Sequence, residues 1–325
     1  MSKITYSAPG KCIITGEHSV VYGTPALVTA LDIRAYSTVE LTDDNCITIF
    51  GSDLGITGVF PTSLEVSPEV DPETLSVLRP IWISCSKTLE RGNKNVGLKV
   101  EINSEIPLSV GLGSSAAIAV STVAAVGHAL GISLRKEEIS SIAFEAEKAV
   151  HGTPSGVDNS VATFGGVMTY ERGKIQYIDV RSEVPLVIGN TLKERNTGEW
   201  VAKVRYRHDR HTKVIDHIIN AIADLTRKAE KAIKDGDLKT LGELMNINQG
   251  LLYSLGVSTV ELDRLVYIAR KAGAYGAKLT GAGGGGCIIA LSTHEKQDEI
   301  ASAIRKAKGE PITTKFSQQG VRFEK

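Results

Sequence analysis

The sequence predicts an α+β protein of two domains, and three observations carry this prediction. The chain has 325 residues, which is more than one ordinary hydrophobic core needs and suits two domains. A strand pattern over residues 98–102 runs through a glycine loop into an apolar helix. The C-terminal half contains three helical patterns and then a strand–helix–strand pattern. We expect residues 1–166 to form the N-terminal domain and residues 167–325 the C-terminal domain.

Composition limits the partners and the compartment. Lysine plus arginine number 37, as do aspartate plus glutamate, so the formal net charge is zero. This balance gives no electrostatic reason to expect a nucleic acid or a membrane as a partner. The four cysteines have neither metal-ligand spacing nor the pattern of a disulfide framework. Because no signal peptide and no run of membrane-spanning length is found, we expect a soluble cytoplasmic protein.

The first residues predict two short strands around a polar cluster. Residues 4–6 and 12–14 have strand patterns, and Ala8-Pro9-Gly10-Lys11 between them predicts a turn. Gly16-Glu17-His18 follows the second strand, so Lys11, Glu17 and His18 fall close together around two turns. The alternative interpretation is a solvated lysine beside a loop Glu-His pair, because isolated charged residues usually face solvent.

The next elements are strands and one long helix. Residues 25–34 and 35–41 predict two strands, and the apolar positions on either side of Asp43-Asp44-Asn45 predict a hairpin. Asp71 precedes a helix that we expect to run to about residue 89 with one buried face. Residues 91–95 predict a polar turn.

The glycine loop at 107–117 is the strongest local signal in the chain. Leu98, Val100 and Ile102 point to one side of the preceding strand, and the following helix is expected over residues 116–130. Glycines at 111 and 113 allow a sharp turn and a close approach to a ligand. The first amides of a helix lack intrahelical acceptors and attract phosphate oxygens. A tight turn with a serine cap is the alternative, and the P-loop pattern is absent.

Two carboxylates follow at a spacing that suggests chemistry. Ser133 is expected to cap a helix over 134–151, whose apolar stripe comprises Ile139, Ile142, Ala146 and Ala149. Glu147 lies beside this stripe near the helix C-terminus, where the dipole disfavours an anion and a metal ion could compensate. The alternative is a surface glutamate paired with Lys148 or solvated. Asp158 follows in a turn rich in glycine and proline, where an aspartate usually bonds its own backbone.

The remainder predicts the second domain. Strands are expected at 168–170, 176–178, 186–189, 275–280, 287–291 and 311–316, and helices at 213–234, 238–252, 259–272 and 294–308. The charged stretch 195–210 predicts a mobile loop or an exposed helix start. The glycine run 283–286 could be a flexible linker, but its apolar flanks favour a tight approach to a ligand or to another loop.

Three separated segments resemble the signature motifs of the GHMP small-molecule kinases. They are Pro9-Gly10-Lys11 with Gly16-Glu17-His18, then Gly111-Leu112-Gly113-Ser114-Ser115-Ala116-Ala117, then Lys278-Leu279-Thr280-Gly281-Ala282-Gly283-Gly284-Gly285-Gly286. Residues 16–23 and 147–159 are most similar to the branch of the family that acts on mevalonate. The resemblance implies an N-terminal domain like domain 2 of ribosomal protein S5, a ferredoxin-like C-terminal domain and a site in the cleft between them. The implied reaction is ATP-dependent phosphorylation of the 5-hydroxyl of (R)-mevalonate, in the mevalonate route to isoprenoids.

The same resemblance implies a role for each site residue. Asp158 would accept the hydroxyl proton with Lys11 beside it, and Ser115 and Glu147 would bind Mg²⁺. The mevalonate site would comprise Lys11, Glu17, His18, Val150, Asp158, Gly281 and Ala282. The ATP contacts would come from Pro107, Leu108, Ser109, Val110, Gly111, Leu112, Gly113, Ser114, Ser115, Ala116 and Ala117. A homodimer is expected by the same analogy.

Two other functions stay open at this point. One is another GHMP kinase that acts on phosphomevalonate or a sugar, because few side chains decide the substrate. The other is a sensor that binds ATP and a small ligand without transferring phosphate. Lys11, Ser115, Glu147 and Asp158 together argue against the sensor.

Overall fold

The computed structural model describes residues 3–53, 55–65, 67–107, 110–151, 155–180 and 182–324, with Val150 and His151 described by their backbone alone. Its strands are β1 Ile4–Thr15, β2 Ala26–Thr42, β3 Cys46–Gly51, β4 Ile56–Pro61, β5 Gly97–Ser104, β6 Val167–Glu171, β7 Lys174–Ile178, β8 Pro185–Asn190, β9 Gly276–Leu279, β10 Cys287–Leu291, β11 Glu310–Lys315 and β12 Arg322–Glu324. Its helices are α1 Pro72–Gly92, α2 Ser114–Ala129, α3 Lys136–His151, α4 Val157–Phe164, α5 Thr197–Arg210, α6 Thr212–Lys234, α7 Leu238–Ser254, α8 Val260–Lys271 and α9 His294–Lys306.

The first sheet has the strand order β12-β1-β2-β5-β3-β4, and β6 and β7 extend it from β2. All its pairs are antiparallel except β3 with β5. Helix α2 packs against β1 and β2, and its buried face contributes Val120 and Val123 to the core. The alternation predicted for β5 is confirmed, since Leu98, Val100 and Ile102 are buried.

The second sheet has the order β11-β8-β10-β9, and every pair in it is antiparallel. In chain order its strands and the helices between them follow the β-α-β-β-α-β arrangement of a ferredoxin-like layer. Buried residues of both sheets join one hydrophobic core, in which Leu31 and Val120 pack with Leu186 and Ile289. The predicted α+β class is therefore confirmed, and one continuous core fixes the cleft between the layers.

The turn predicted at Ala8-Pro9-Gly10-Lys11 is wrong. Strand β1 runs unbroken through these residues and pairs with β2 on both sides of them. The register shifts between Pro9 and Gly10, so a local irregularity in the ladder accommodates the proline, which has no amide hydrogen to donate. Lys11 consequently lies within a rigid strand.

The predicted hairpin around Asp43-Asp44-Asn45 is also wrong. Strands β2 and β3 are joined there, but β5 is inserted between them in the sheet. The parallel register sets Ile47 beside Leu98 and Ile49 beside Val100, and all four side chains are fully buried. This burial outweighs the local turn signal. The two strands predicted over residues 25–41 form the single strand β2, because β1 pairs along its length.

Several helix limits differ from the predictions. Helix α3 begins at Lys136, so Ser133 is not its cap, and Ala149 in the predicted apolar stripe is exposed. Helix α1 begins after Asp71 as predicted, and the side chain of Asp71 accepts hydrogen bonds from the amides of Glu73 and Thr74. The helix continues to Gly92. Most of the charged stretch 195–210 is the helix α5, which Asn196 caps.

The sheets also bear on the expected boundary at 166/167. Strands β6 and β7 follow that boundary but hydrogen-bond to the first sheet through β2. Strand β12, at the other end of the C-terminal half, pairs with β1. The division at 166/167 remains a prediction. None of the helices in the described parts of the chain combines the length and the apolarity that a bilayer crossing requires.

Candidate active site

The glycine loop leads into α2 and packs directly on Lys11. Gly111 and Gly113 have φ angles of 83° and 77°, which favour glycine. A Cβ on Gly113 would lie 2.7 Å from Cγ of Lys11, and the amide of Lys11 donates to the carbonyl of Leu112 at 2.8 Å. The predicted strand–loop–helix pattern is confirmed by β5 and α2, and the loop also holds the N-terminus of α2 against β1.

This loop offers a site for an anion. The cavity of about 450 Å³ beside it is lined by Pro107, Gly111, Leu112, Gly113, Ser114, Ser115 and Ala116. The hydroxyl of Ser114 is buried and has no hydrogen-bond partner within the described residues, whereas Ser115 is exposed. Val110 and Ala117, also predicted to contact ATP, are buried in the core. Leu108 and Ser109 lie outside the described residues.

Lys11 and Asp158 form an ion pair at this cavity. Nζ of Lys11 lies 3.1 Å from Oδ1 of Asp158, and the two side chains are 11% and 32% exposed. Asp158 lies in the first turn of α4, which begins after Gly156 at a φ of 76°, and not in a free turn. A carboxylate is favourable at a helix N-terminus. The resemblance implied that Lys11 lies beside Asp158, and the structure brings the two side chains together.

Glu147 is the second carboxylate of the site. It lines the same cavity as Asp158, and burial raises its pKa to about 7, with the negative charge of Asp158 adding to the shift and Lys11 opposing it. The side-chain amide of Asn159, oriented so that both of its ends are satisfied, donates to Oε2 of Glu147 and accepts from the amide of Phe144. Two carboxylates thus lie near one lysine, so a further cation could balance the remaining negative charge.

Arg195 is a site residue that the sequence analysis missed. Its guanidinium lies between two glycine loops: a Cβ on Gly281 would lie 2.5 Å from Nη2, and a Cβ on Gly111 would overlap it. Burial lowers the pKa of Arg195, and its Nη1 has no hydrogen-bond partner within the described residues. Arg195 also lines the cavity. Nothing in the local pattern separates it from the other basic residues nearby, so only its position identifies it.

The glycine run makes the tight approaches that the sequence predicted. Its backbone packs on other loops. A Cβ on Gly286 would lie 2.8 Å from the carbonyl of Val110, and a Cβ on Gly284 would overlap the ring of Trp200. The amide of Gly284 donates to the carbonyl of Val257 at 2.9 Å. The glycine run is therefore packed against neighbouring loops and is not a linker.

Glu17 and His18, which the resemblance implies contact the substrate, are both buried, and their contact with substrate stays a prediction. Glu17 is 1% exposed, and its carboxylate accepts from Lys278 and from Nδ2 of Asn248 at 3.1 Å. Its side chain does not line the cavity, and the buried lysine binds its carboxylate. His18 is also buried, and its Nε2 lies 2.9 Å from the carbonyl of Ala282. Val150 is described by its backbone alone, so its predicted contact lies outside the described side chains.

A further part of the cavity is apolar. Val77, Leu78, Ile81 and Ile102 line it, with the polar side chains of Asp53 and Ser104 beside them. Oδ2 of Asp53 accepts from the amide of Ser104 at 2.6 Å. An apolar slot with a few polar groups, continuous with an anion site, suits a flat ring attached to phosphates. The sequence analysis assigned no ligand contact to these residues, because α1 and β5 come to line one cavity only in the fold.

Comparison with known proteins agrees with this geometry. The family model described as GHMP kinases N terminal domain matches residues 81–166, and that described as GHMP kinases C terminal matches residues 229–310. The chain is 44% identical to a mevalonate kinase of Pyrococcus furiosus, covering 99% of this chain and 98% of the relative.

Two solved structures have the same fold. The crystal structure of the Methanococcus jannaschii mevalonate kinase matches with a TM-score of 0.87 and 29% identity, covering 97% of this chain and 99% of that one. The L. major mevalonate kinase in complex with R-mevalonate matches with a TM-score of 0.84 and 26% identity, covering 98% and 97%. The chain thus belongs to the GHMP kinase family, and within it to the mevalonate kinases.

Proposed function

We propose that this protein transfers the γ-phosphoryl group of ATP to the 5-hydroxyl of (R)-mevalonate. The observation that carries the proposal is a cavity lined by Asp158, Glu147 and the N-terminus of α2, with Lys11 paired to Asp158. Phosphoryl transfer needs positioning, charge neutralisation and an acceptor oxygen in line with the phosphate. This arrangement provides a group for each need. A relative bound to R-mevalonate supports the choice of acceptor.

The nucleotide would bind along the glycine loop. The first amides of α2 and the hydroxyl of Ser114, which has no partner within the described residues, suit phosphate oxygens. The adenine would enter the apolar slot of Val77, Ile81 and Ile102. The cavity of about 450 Å³ lies in the range of small-molecule sites.

Mg²⁺ fits the donors that are present. Among the described residues no three histidine, cysteine, aspartate or glutamate side chains form a metal cluster, so the protein alone does not enclose an ion. A Mg²⁺ ion typically takes one or two protein ligands together with phosphate oxygens and waters. Glu147, with its pKa raised to about 7, and the exposed hydroxyl of Ser115 would hold it. The bound ion would neutralise charge on the phosphates.

Asp158 would act as the proton acceptor. Its carboxylate would take the hydroxyl proton of the alcohol as the oxygen bonds to phosphorus and ADP leaves. Lys11, 3.1 Å from Asp158, would stabilise the negative charge that develops on the oxygen. Arg195, between the loops of Gly111 and Gly281, would neutralise further negative charge in the closed cleft.

An acceptor panel tests the function. The purified protein is incubated with Mg²⁺, γ-labelled ATP and, in separate reactions, mevalonate, phosphomevalonate, galactose or homoserine. We expect label in a 5-phosphate of mevalonate alone, and Asp158→Asn, in which transfer should be strongly reduced, is the control. Transfer to another acceptor would identify a different GHMP kinase. If no reaction released ADP, the result would favour a sensor.

We further propose that the protein is a homodimer, by analogy with other family members. Light scattering coupled to size-exclusion chromatography measures its mass and tests this proposal.

A further inference from the structure

A fully buried ion pair joins the two layers of the molecule behind the cavity. Glu17 follows β1 in the first layer, and Lys278 lies on β9 in the second. Their side chains are 1% and 0% exposed, and Nζ of Lys278 donates to Oε1 of Glu17. Nζ also donates to the carbonyl of Leu279 at 2.5 Å, and Asn248 donates to the other carboxylate oxygen. Neither charged residue lines the cavity.

Stability alone is a poor explanation for such a pair. Removing two charges from water costs more than their attraction often returns, and apolar residues of similar volume commonly stabilise a core as well or better. What an ion pair adds is a specific geometry, because the two groups are satisfied in one arrangement only. The location of the pair indicates that the specified geometry is the placement of β1 relative to β9.

The pair lies in a seam of polar contacts between β1 and β9. Oγ1 of Thr280 accepts from the amide of Ile13 and donates to its carbonyl, both at 3.0 Å. Nε2 of His18 lies 2.9 Å from the carbonyl of Ala282. The strand that ends in this seam carries Lys11, and the strand on the other side leads to Gly281, against which Arg195 packs.

We propose that Glu17 and Lys278 are positioning residues that set the distance between the wall with Lys11 and Asp158 and the wall with Gly281 and Arg195. The proposal rests on the proposed phosphoryl transfer, since that spacing decides how the alcohol meets the phosphate. Displacement of reacting groups by about 1 Å is enough to cost on the order of 10²-fold in rate. The N-terminus of α2, which would hold the nucleotide, belongs to the first layer, where the hydrogen bond from the Lys11 amide to the carbonyl of Leu112 holds its loop.

Kinetics of Glu17→Gln, Lys278→Met and the double variant test this role. We expect kcat/KM for mevalonate to fall on the order of 10²-fold in each. KM for Mg-ATP should stay within about threefold. The double variant should be no worse than the single variants, because each single substitution already removes the ion pair. Glu17→Gln is nearly isosteric and retains the Asn248 contact, so it can be measured even where Lys278→Met fails to fold.

Arg34→Met is the matched control. Arg34 is an equally buried cation, 2% exposed, but it donates to Ser7 and to the carbonyls of Gln319 and Gly320, away from the seam. We expect this variant to lose thermal stability and to retain wild-type kinetic constants. If the seam variants behave in the same way, the pair is structural and the positioning role is wrong.

Hydrogen exchange separates this proposal from the proposed function. In the seam variants, exchange should accelerate in peptides covering 11–18 and 276–284, and in Arg34→Met it should accelerate in peptides covering 3–10 and 316–324. Unchanged exchange at the seam would overturn the positioning role even if mevalonate is the substrate. Wild-type protein that phosphorylates no mevalonate would instead refute the proposed function, and the exchange pattern would still decide whether the pair joins the two walls.

Discussion

Replacing Lys11 with methionine tests whether one cation serves two carboxylates in the active site. Nζ of Lys11 lies 3.1 Å from Asp158, and its charge also opposes the rise in the pKa of Glu147. At an effective dielectric constant of about 20, two unit charges at this separation attract by roughly 5 kcal/mol before the cost of desolvation. Methionine retains most of the aliphatic stem but removes this attraction.

We expect kcat of Lys11→Met to fall about 10²- to 10³-fold, the range typical of removing one group that stabilises developing negative charge. The Kd of Mg-ATP should change little, because the amides of α2 and not Lys11 would bind the phosphates. Release of ADP in a coupled assay gives kcat, and titration calorimetry gives the Kd. Lys11→Arg retains the charge and should lose less activity.

The pKa of Glu147 is a second and independent measure of the same variant. In the metal-free protein it is about 7, and removal of Lys11 should move it higher, because Lys11 is the group that lowers it. The carboxyl stretching band, followed against pH and compared with Glu147→Gln, reports this change. A variant with wild-type kcat and an unmoved pKa would refute the argument that Lys11 serves both carboxylates.

Three further outcomes follow from the site. Asp158→Asn should lower kcat by roughly 10²- to 10⁴-fold with substrate binding largely kept, and normal turnover would exclude Asp158 as the base. Ser115→Ala should raise the Mg²⁺ concentration needed for half-maximal activity, and an unchanged Mg²⁺ dependence would exclude a ligand role. Because the pKa of Glu147 is raised from its ordinary value of 4.5 to about 7, the folded state retains a proton that the unfolded state releases, so stability should fall as pH rises between these values. Denaturant unfolding of metal-free protein at pH 5 and pH 8 measures this loss, which should shrink in Glu147→Gln.

Much of the candidate site could be predicted because its signals are local. Positive φ angles at Gly111 and Gly113, the helix that follows them and the alternation of β5 depend on neighbouring residues, and all three are present. Lys11 and Asp158 could be paired through the resemblance of the motifs that carry them. The predicted hairpin at Asp43-Asp44-Asn45 failed for the opposite reason, since the strand that separates β2 from β3 comes much later in the chain.

The sequence by itself determined the glycine loops, the helix that follows Gly113 and the residue types available for phosphoryl transfer, because backbone sterics and hydrophobic periodicity act over a few residues. Only the tertiary structure decided that Arg195 lies between Gly111 and Gly281 and that the carboxylate of Glu17 is buried against Lys278. A charged side chain looks the same in a sequence whether it faces water, a ligand or a buried partner. Which of these it meets depends on chain segments hundreds of residues apart, and on the cost of burying a charge without a partner.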